Sequence, residues 1–487
     1  MNGACATLAP VTDLRRPARR EGAPPPAFTA AEISRLTGGQ LLRASSRPIR
    51  GGAVDSRRVR PGNLFVALAG ERTDGHRFLA QAVAAGAAAL LVSRPPEGGA
   101  ALGALDDVTV VQVPDPLAAL HALAAAWRSR FDPLVVGVTG SIAKTSTKEA
   151  VAAVLARRWR TLRNEGNLNN EIGLPLTVLD LGPEHEALVV EMGMYTGGEI
   201  AALARIARPR IGVVTAVQPV HLERIGSIEA IEAAKAELVD ALPADGVAVL
   251  NADDPRVARM RTRTTARTRT YGFSPGADVT AEAIESAGRA GMRFVLRVDG
   301  KARRAVTTPA LGRHAVHNAL AAAAVGLEAG LTLDQVAAGL ADGWTAPHRS
   351  ELVEAGGVLV LDDTYNASPA TMLAALELLA TLPGRRIAVL GEMLELGEGH
   401  EAGHRSVGAA AAGVVARLVV VGTGARGIGE GAAAAGLDPA RIALVPDREA
   451  ALELLGSLLA PGDVVLVKGS RGAALDLLVD RLLEVRG

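Results

Sequence analysis

Residues Thr139-Gly-Ser-Ile-Ala-Lys-Thr-Ser146 follow the apolar run Leu134-Val-Val-Gly-Val138 and precede a helical stretch from about Thr145 to Arg158. A strand–turn–helix junction of this kind can aim backbone N–H groups and a helix N-terminus at phosphates, with Lys144 on the β- and γ-phosphates and Thr145 on magnesium. Thr139, Gly140, Ser141, Ala143 and Ser146 complete this candidate cradle. Ala143 stands where a strict phosphate-loop motif carries its last glycine. If that position needs a left-handed backbone, the alanine costs about 1–2 kcal/mol. Taken alone, the segment is equally a generic strand-to-helix turn.

Three more residues join it. Glu191 ends the strand-like run Ala187 to Glu191, and a carboxylate beyond the carboxyl end of a strand in such a sheet can hold a hard cation. His221 lies in Gln218-Pro-Val-His-Leu-Glu223, after the run Ile211 to Val217, and is placed at the same sheet end. Lys235 lies in the helical stretch Ile228 to Leu242, where pairing with Glu232, three residues earlier, is the plain reading. Lysine usage argues otherwise. Of 52 basic residues only Lys144, Lys148, Lys235, Lys301 and Lys468 are lysines, so a retained lysine marks a need for a compact ammonium or an amine. Four of the five fall inside the motifs described here, although for Lys148 a solvated helix face is the simple explanation.

These groups need a scaffold. At 487 residues the chain is too long for one core, and about three domains are expected. Lys plus Arg and Asp plus Glu are both 52, so no global field draws the protein to nucleic acid or membrane. Cys5 is the only cysteine, which excludes an intramolecular disulfide and a cysteine metal cluster and agrees with a reducing compartment. Residues 1–26 are rich in Arg, Ala and Pro, lack a secretory apolar core, and are expected to form a disordered tail. The most apolar stretch, Val407 to Val421, contains Arg417 and two glycines and is too short to span a membrane. A soluble, cytoplasmic, monomeric protein is expected.

Apolar runs alternate with Ala/Leu helices throughout, which predicts an α/β protein. Residues 27–130 form a first block, with Asn63 to Leu68 strand-like and Phe78 to Ala88 helical. Phe131-Asp-Pro133 breaks it, since a proline disfavours helix at the residue before it. Residues 131–346 read as a mostly parallel sheet covered on both faces, with a further strand at Val247 to Leu250. Residues 347–487, with runs Val358 to Leu361, Ile387 to Leu390, Leu418 to Val421, Ile442 to Val445 and Val464 to Val467, read as a second doubly wound unit.

Six strings narrow the reading: Asn164-Glu-Gly-Asn-Leu-Asn-Asn-Glu-Ile-Gly-Leu-Pro-Leu176, Asp362-Asp-Thr-Tyr-Asn-Ala-Ser-Pro369, Val389-Leu-Gly-Glu-Met-Leu-Glu-Leu-Gly397, Val467-Lys-Gly-Ser-Arg471, Asp55-Ser-Arg57 and Gly70-Glu-Arg-Thr-Asp-Gly-His76. Taken together along the chain, from about Ala27 to Leu483, these strings resemble the Mur ligase family, and within it the branch that adds D-alanyl-D-alanine. The resemblance implies an N-terminal UDP-precursor-binding domain, a central P-loop ATPase-like domain and a C-terminal Rossmann-like domain. It implies ATP and Mg²⁺ as cofactors, and UDP-N-acetylmuramoyl-tripeptide and D-alanyl-D-alanine as partners.

Residue by residue, it implies Lys144 and Thr145 on the ATP phosphates and magnesium, and Glu191 and His221 on magnesium. It implies a carbamate on Lys235 that helps bind a second ion. Asn318 would contact adenine, and Arg349 and Asp363 would reach the nucleotide from the interdomain junction. Ser56 and Arg57 fall at the uridine end, Asn169, Asn170 and Glu171 near the substrate junction, and Lys468 and Arg471 near the incoming dipeptide or γ-phosphate. Ala143 and the string Glu191-Met-Gly-Met-Tyr195 depart from the commoner family pattern.

Three rivals remain to be weighed. Folylpolyglutamate synthase would share the ATPase core but should lack the uridine-binding block before Phe131. A sister ligase adding diaminopimelate or lysine should carry Asp-Asn-Pro-Arg in its C-terminal domain, whereas the nearest string, Asp253-Asp-Pro-Arg256, is central. A P-loop regulator that has lost ligation finds support in Ala143, but has no reason to keep Glu191, His221 and Lys235 together.

Overall fold

The computed structural model describes residues 26–70, 73–96, 107–219 and 225–486. The expected disordered tail, up to residue 25, lies outside them, as do Glu71, Arg72 and His221.

Three sheets are laid down in chain order. The first holds β1 (Gln40–Arg43), β2 (Gly52–Ala53), β3 (Leu64–Val66), β4 (Ala89–Val92) and β5 (Thr109–Gln112) in the order β1-β5-β4-β3-β2, with only the β1–β5 pair antiparallel. The helix Pro116–Arg128 follows, started by Asp115, whose carboxylate accepts the N–H groups of Leu117 and Ala118, with proline in the first turn. This helix joins the first sheet to the second. Trp127 donates to the carbonyl of Leu181, and buried Arg128 donates to the carbonyls of Ala207 and Phe131.

The second sheet holds β6 (Leu134–Thr139), β7 (Thr161–Arg163), β8 (Ala187–Glu191), β9 (Ile211–Val214), β10 (Val247–Asn251), β11 (Arg267–Tyr271), β12 (Val279–Ser286), β13 (Met292–Val298) and β14 (Ala302–Thr308). Its order is β14-β13-β12-β11-β10-β9-β6-β8-β7. From β7 to β12 every pair is parallel, and β6, β8, β9 and β10 are buried along their whole length, which explains their unbroken apolar runs. The antiparallel ribbon β12–β14 is a part the apolar-run reading does not pick out, because its arginines and threonines alternate with the buried side chains.

The helix Lys144–Leu155 packs under this sheet against the alanine-rich helix Arg313–Glu328 and the helix Leu333–Asp342. Glycine permits the close approach: a Cβ on Gly326 would meet Val154 Cγ1 at 2.6 Å, and one on Gly339 would meet Val154 Cα at 2.7 Å.

The third sheet holds β15 (Glu351–Ala355), β16 (Val358–Asp362), β17 (Arg385–Gly391), β18 (Arg417–Val421), β19 (Ile442–Val445) and β20 (Asp463–Lys468) in the order β15-β16-β20-β17-β18-β19. Only the β15–β16 pair is antiparallel. The apolar stretch Val407 to Val421 is divided between the end of the helix His400–Ala412 and β18. No helix among the described residues is long and apolar enough to cross a membrane.

Candidate functional site

Strand order decides what meets. In the second sheet β6 lies between β8 and β9, so Thr139, Glu191 and the segment after Val214 leave the same edge side by side. The turn after β6 is held tightly. Ser141 donates its N–H to the carbonyl of Ala216 at 2.8 Å, and its hydroxyl accepts the N–H of Gln218 at 2.9 Å. Thr139 donates its hydroxyl to the carbonyl of Met192 at 2.8 Å. Gly140 has φ 145°, and a Cβ there would stand 1.9 Å from Thr215 Oγ1, which donates to the carbonyl of Ile142. Ala143 has φ 63° and ψ 1°, so the left-handed conformation that favours glycine is adopted by an alanine. The helix Lys144–Leu155 begins at the next residue, with Lys144, Thr145 and Ser146 lining a cleft of about 1150 Å³ between the second and third sheets.

Inside the cleft, Thr145 donates to Glu191 Oε2 at 2.7 Å, and Asn169 donates to Glu191 Oε1 at 2.6 Å. Glu191 is 1% exposed and its backbone N–H is bound by Asn164 Oδ1 at 2.9 Å. Lys144 donates to the carbonyl of Ser141 at 3.1 Å, and burial holds its pKa below the ordinary lysine value. Lys235 also lines the cleft and is 3% exposed. Burial, and then the charge of Lys144, push its pKa well below the ordinary value, which favours the neutral amine. The simple pairing with Glu232 is therefore wrong: Glu232 binds Arg256 and Arg259 instead.

The other wall comes from the third sheet. Arg349 donates to Thr145 Oγ1 at 3.0 Å and lies over the ring of Tyr365, 3.8 Å from its centroid. Arg471, exposed, stands over the same ring at 5.5 Å. β16, β20 and β17 are neighbours, so the strings beginning at Asp362, Val467 and Val389 converge at one end of the sheet. Lys468 is buried there and binds Asp363 Oδ2 at 2.7 Å and the carbonyls of Asp363 and Asn366 at 3.2 and 2.8 Å. Those three acceptors match its three N–H donors, so it shapes this turn. Asp363 also accepts the N–H of Ser350 at 3.0 Å.

Asn318 is buried on the helix Arg313–Glu328 and accepts from Thr147 at 3.1 Å. It lies between the main cleft and a second cavity of about 720 Å³ lined also by Asn251, Phe273 and His317. Asn170 lines the cleft and accepts the N–H of Gly173 at the start of the helix Gly173–Leu179. Glu171 and the N-terminal pair are not among the cleft-lining residues. The carbonyl of Glu171 faces His121 at 2.6 Å, Ser56 donates to Gln81, and Arg57 pairs with Asp55. Asp254, in the string that superficially suggests the sister ligase, caps the helix Pro255–Arg259 and accepts the N–H of Val217. Tyr365 and Asn164 were not assigned roles from sequence, although both lie inside the strings quoted above.

Thr145 and Glu191 offer a hydroxyl and a carboxylate at one point, a donor set suited to Mg²⁺, which keeps several waters and phosphate oxygens as its other ligands. Among the described residues no group of three His, Cys, Asp or Glu side chains could hold a metal by itself.

With this geometry, the comparisons with known proteins agree along the chain. Family models for the Mur ligase family catalytic domain, the Mur ligase middle domain, and the Mur ligase glutamate ligase domain match residues 48–128, 138–326 and 348–471. The chain is 41% identical to the UDP-N-acetylmuramoyl-tripeptide–D-alanyl-D-alanine ligase of Mycobacterium tuberculosis, covering 94% of this chain and 98% of that one. Its structure is similar to that of MurF from Acinetobacter baumannii, with a TM-score of 0.83 and 30% identity over 95% of this chain and 100% of that one. It is also similar to the MurF ligase of Thermotoga maritima solved in complex with ADP, with a TM-score of 0.77 and 30% identity over 90% and 99% of the two chains. The chain belongs to the Mur ligase family.

Proposed function

We propose that this chain joins D-alanyl-D-alanine to the terminal carboxylate of UDP-N-acetylmuramoyl-tripeptide, converting ATP to ADP and phosphate, in the cytoplasmic synthesis of peptidoglycan precursors. The observation that carries the reading is the cleft in which Lys144, Thr145, Glu191 and Lys235 face Arg349 and the turn Asp362–Asn366. The near-full-length similarity to ligases of that name supports the substrates, and the relative solved with ADP supports the nucleotide.

A carboxylate is a poor electrophile. In the proposed reaction an oxygen of the tripeptide carboxylate takes the γ-phosphoryl group of ATP, giving an acyl phosphate and ADP. The free amine of D-alanyl-D-alanine attacks the acyl carbon, a tetrahedral intermediate forms, the C–O bond to phosphate breaks, and the amine proton passes to a base or solvent. Lys144 and the phosphate turn orient the transferring group and neutralise its charge. Arg349, reaching Thr145 from across the cleft, brings a second positive charge to the same point. The residues present fit a magnesium ion on Thr145 and Glu191, where it would screen the phosphate oxygens. Lys235, favoured as a neutral amine by its burial, suits the carbamate we assign to it, since only an uncharged amine adds carbon dioxide. His221, Ser56, Arg57, Asn169, Asn170, Glu171 and Arg471 keep the proposed roles given above. An acyl phosphate needs shielding from water, so we propose that the third domain closes further on the second when all ligands bind.

The regulator reading rests on Ala143, and against it stands that this alanine adopts the left-handed backbone a glycine would take there. The deciding experiment is phosphate release by purified protein with Mg²⁺, ATP, tripeptide precursor and D-alanyl-D-alanine, each omitted in turn. Release that needs both substrates, with a product heavier by the dipeptide less water, is the expected result. Release only with a dipeptide precursor and diaminopimelate or lysine moves the chain to the sister reaction. Nucleotide binding without turnover on either precursor supports the regulator.

A further inference from the structure

Helical position alone places Lys148 on a solvated face, and the structure overturns this. It is 0% exposed. It lies one helical turn after Lys144 on the helix Lys144–Leu155, so both lysines share one rigid element with Thr145. Its Nζ donates to the carbonyl of Asn164 at 2.5 Å and approaches the carbonyl of Gly166 at 3.4 Å. Its charge is answered by Glu149 Oε1 at 2.9 Å, and Glu149 is bound in turn by Arg163.

What this ammonium holds is specific. Asn164 is itself fully buried, accepts the N–H of Glu191 at 2.9 Å and donates to the carbonyl of Leu168 at 2.8 Å. The same loop carries Asn169, which donates to Glu191 Oε1 at 2.6 Å and accepts the N–H of Gly193 through its carbonyl at 2.8 Å. It also carries Glu165, paired with Arg58 of the first sheet's domain at 3.1 Å. One helix thus presents Lys144 and Thr145 to the phosphates and, a turn later, anchors the loop that orients the carboxylate facing Thr145. A compact ammonium suits this place, where the carbonyls of Asn164 and Gly166 and the carboxylate of Glu149 close around a single nitrogen with no solvent exposure.

We propose that Lys148 is a positioning residue, its ammonium tying the phosphate-loop helix to the Asn164–Asn170 loop so that Glu191 and Thr145 are held in register for metal binding. The proposal rests on the ligase reading for its metal, and its test separates the two. Groups that orient a metal-binding residue from behind typically change metal affinity or activity by about 10–100-fold when removed. The variants are Lys148→Met, which keeps the volume and removes the donor, and Lys148→Gln, which keeps a neutral donor. Lys301→Met, on the exposed β13–β14 turn, is the control.

Each protein is checked for a wild-type melting profile. Mn²⁺ affinity is then measured by electron paramagnetic resonance in the presence of ADP, and kcat and KM for ATP by phosphate release. The expected result is Mn²⁺ binding weakened about 10–100-fold in Lys148→Met, kcat reduced in parallel, KM for ATP within about threefold of wild type, and Lys148→Gln in between. Wild-type Mn²⁺ affinity in a folded Lys148→Met protein overturns the proposal. If Lys148→Met does not fold, Lys148→Gln decides: unchanged Mn²⁺ affinity in its folded fraction makes Lys148 merely structural. Failure of the wild-type enzyme to turn over the tripeptide precursor would overturn the ligase reading instead, and the Mn²⁺ comparison would still decide the role of Lys148.

Discussion

Replacing Ala143 by glycine tests the phosphate turn at its most unusual residue. With φ 63° and ψ 1°, Ala143 sits in the left-handed region and carries no compensating side-chain cap for the helix that follows. An alanine there costs about 1–2 kcal/mol relative to the right-handed region. Glycine removes that cost but restores about 0.5–1 kcal/mol of backbone entropy to the unfolded chain. The net expectation for Ala143→Gly is a gain of about 0.5–1 kcal/mol in the stability of the central domain. Nucleotide affinity should stay within about twofold, because the strain is present with and without ligand and cancels in the binding equilibrium. Urea unfolding followed by tryptophan fluorescence, to which Trp159 and Trp344 of the second domain contribute, gives the first quantity, and titration with a fluorescent ATP analogue gives the second. A loss of stability, or a midpoint no different from wild type, would refute the claim that Ala143 is strained. Affinity improved by tenfold or more would show instead that the free turn has another conformation and that the alanine resists its closure, since tenfold is about 1.4 kcal/mol.

Gly140→Ala tests the opposite case: its Cβ would stand 1.9 Å from Thr215 Oγ1 at a glycine-only φ, so strain and overpacking of about 2–6 kcal/mol together should abolish nucleotide binding in calorimetry. Lys235→Met removes an amine that burial disfavours as a charge, so thermal stability should rise while turnover falls by about 10–100-fold; unchanged turnover would show that Lys235 takes no part in the reaction. His404 accepts the N–H of Met393 with Nε2 and donates from Nδ1 to the carbonyl of His400, an arrangement only neutral imidazole can make, and burial holds its pKa below the usual histidine value. Its unfolded form takes up a proton more readily, so its contribution is complete above about pH 6.5 and is lost as pH falls, by at most about 1.4 kcal/mol per pH unit. His404→Leu should flatten that part of the unfolding profile between pH 7.5 and 5.5, and an unchanged slope would show that His404 is not the group titrating.

Much of the fold is legible locally. β6, β8, β9 and β10 are covered on both faces, so their sequences must be continuously apolar, and Ala187–Glu191 can be delimited from that alone. The same logic fails for β12–β14, where arginines such as Arg293 and Arg297 alternate with Phe294 and Leu296 at the edge of the sheet. Sequence could also nominate Lys144, Thr145, Glu191 and Lys235, because residue type after a strand, and the rarity of lysine, are properties of the chain itself.

Tertiary structure decided the rest. Helical spacing places Lys148 on a face but does not say what covers that face; the buried Asn164 carbonyl comes from a loop sixteen residues away. Lys468 lines the cleft, and its anchoring by Asp363 and Asn366, more than a hundred residues earlier in the chain, could not be read from its own string. Arg349 reaches Thr145 across 204 positions only because two sheets are packed with their carboxyl edges toward one cleft. The left-handed turn at Ala143 is imposed by the packing around it against the residue's own preference. Periodicity records which side of an element is buried, an average over its own residues, whereas a hydrogen bond depends on the placement of two particular atoms, and strand order and packing set that placement.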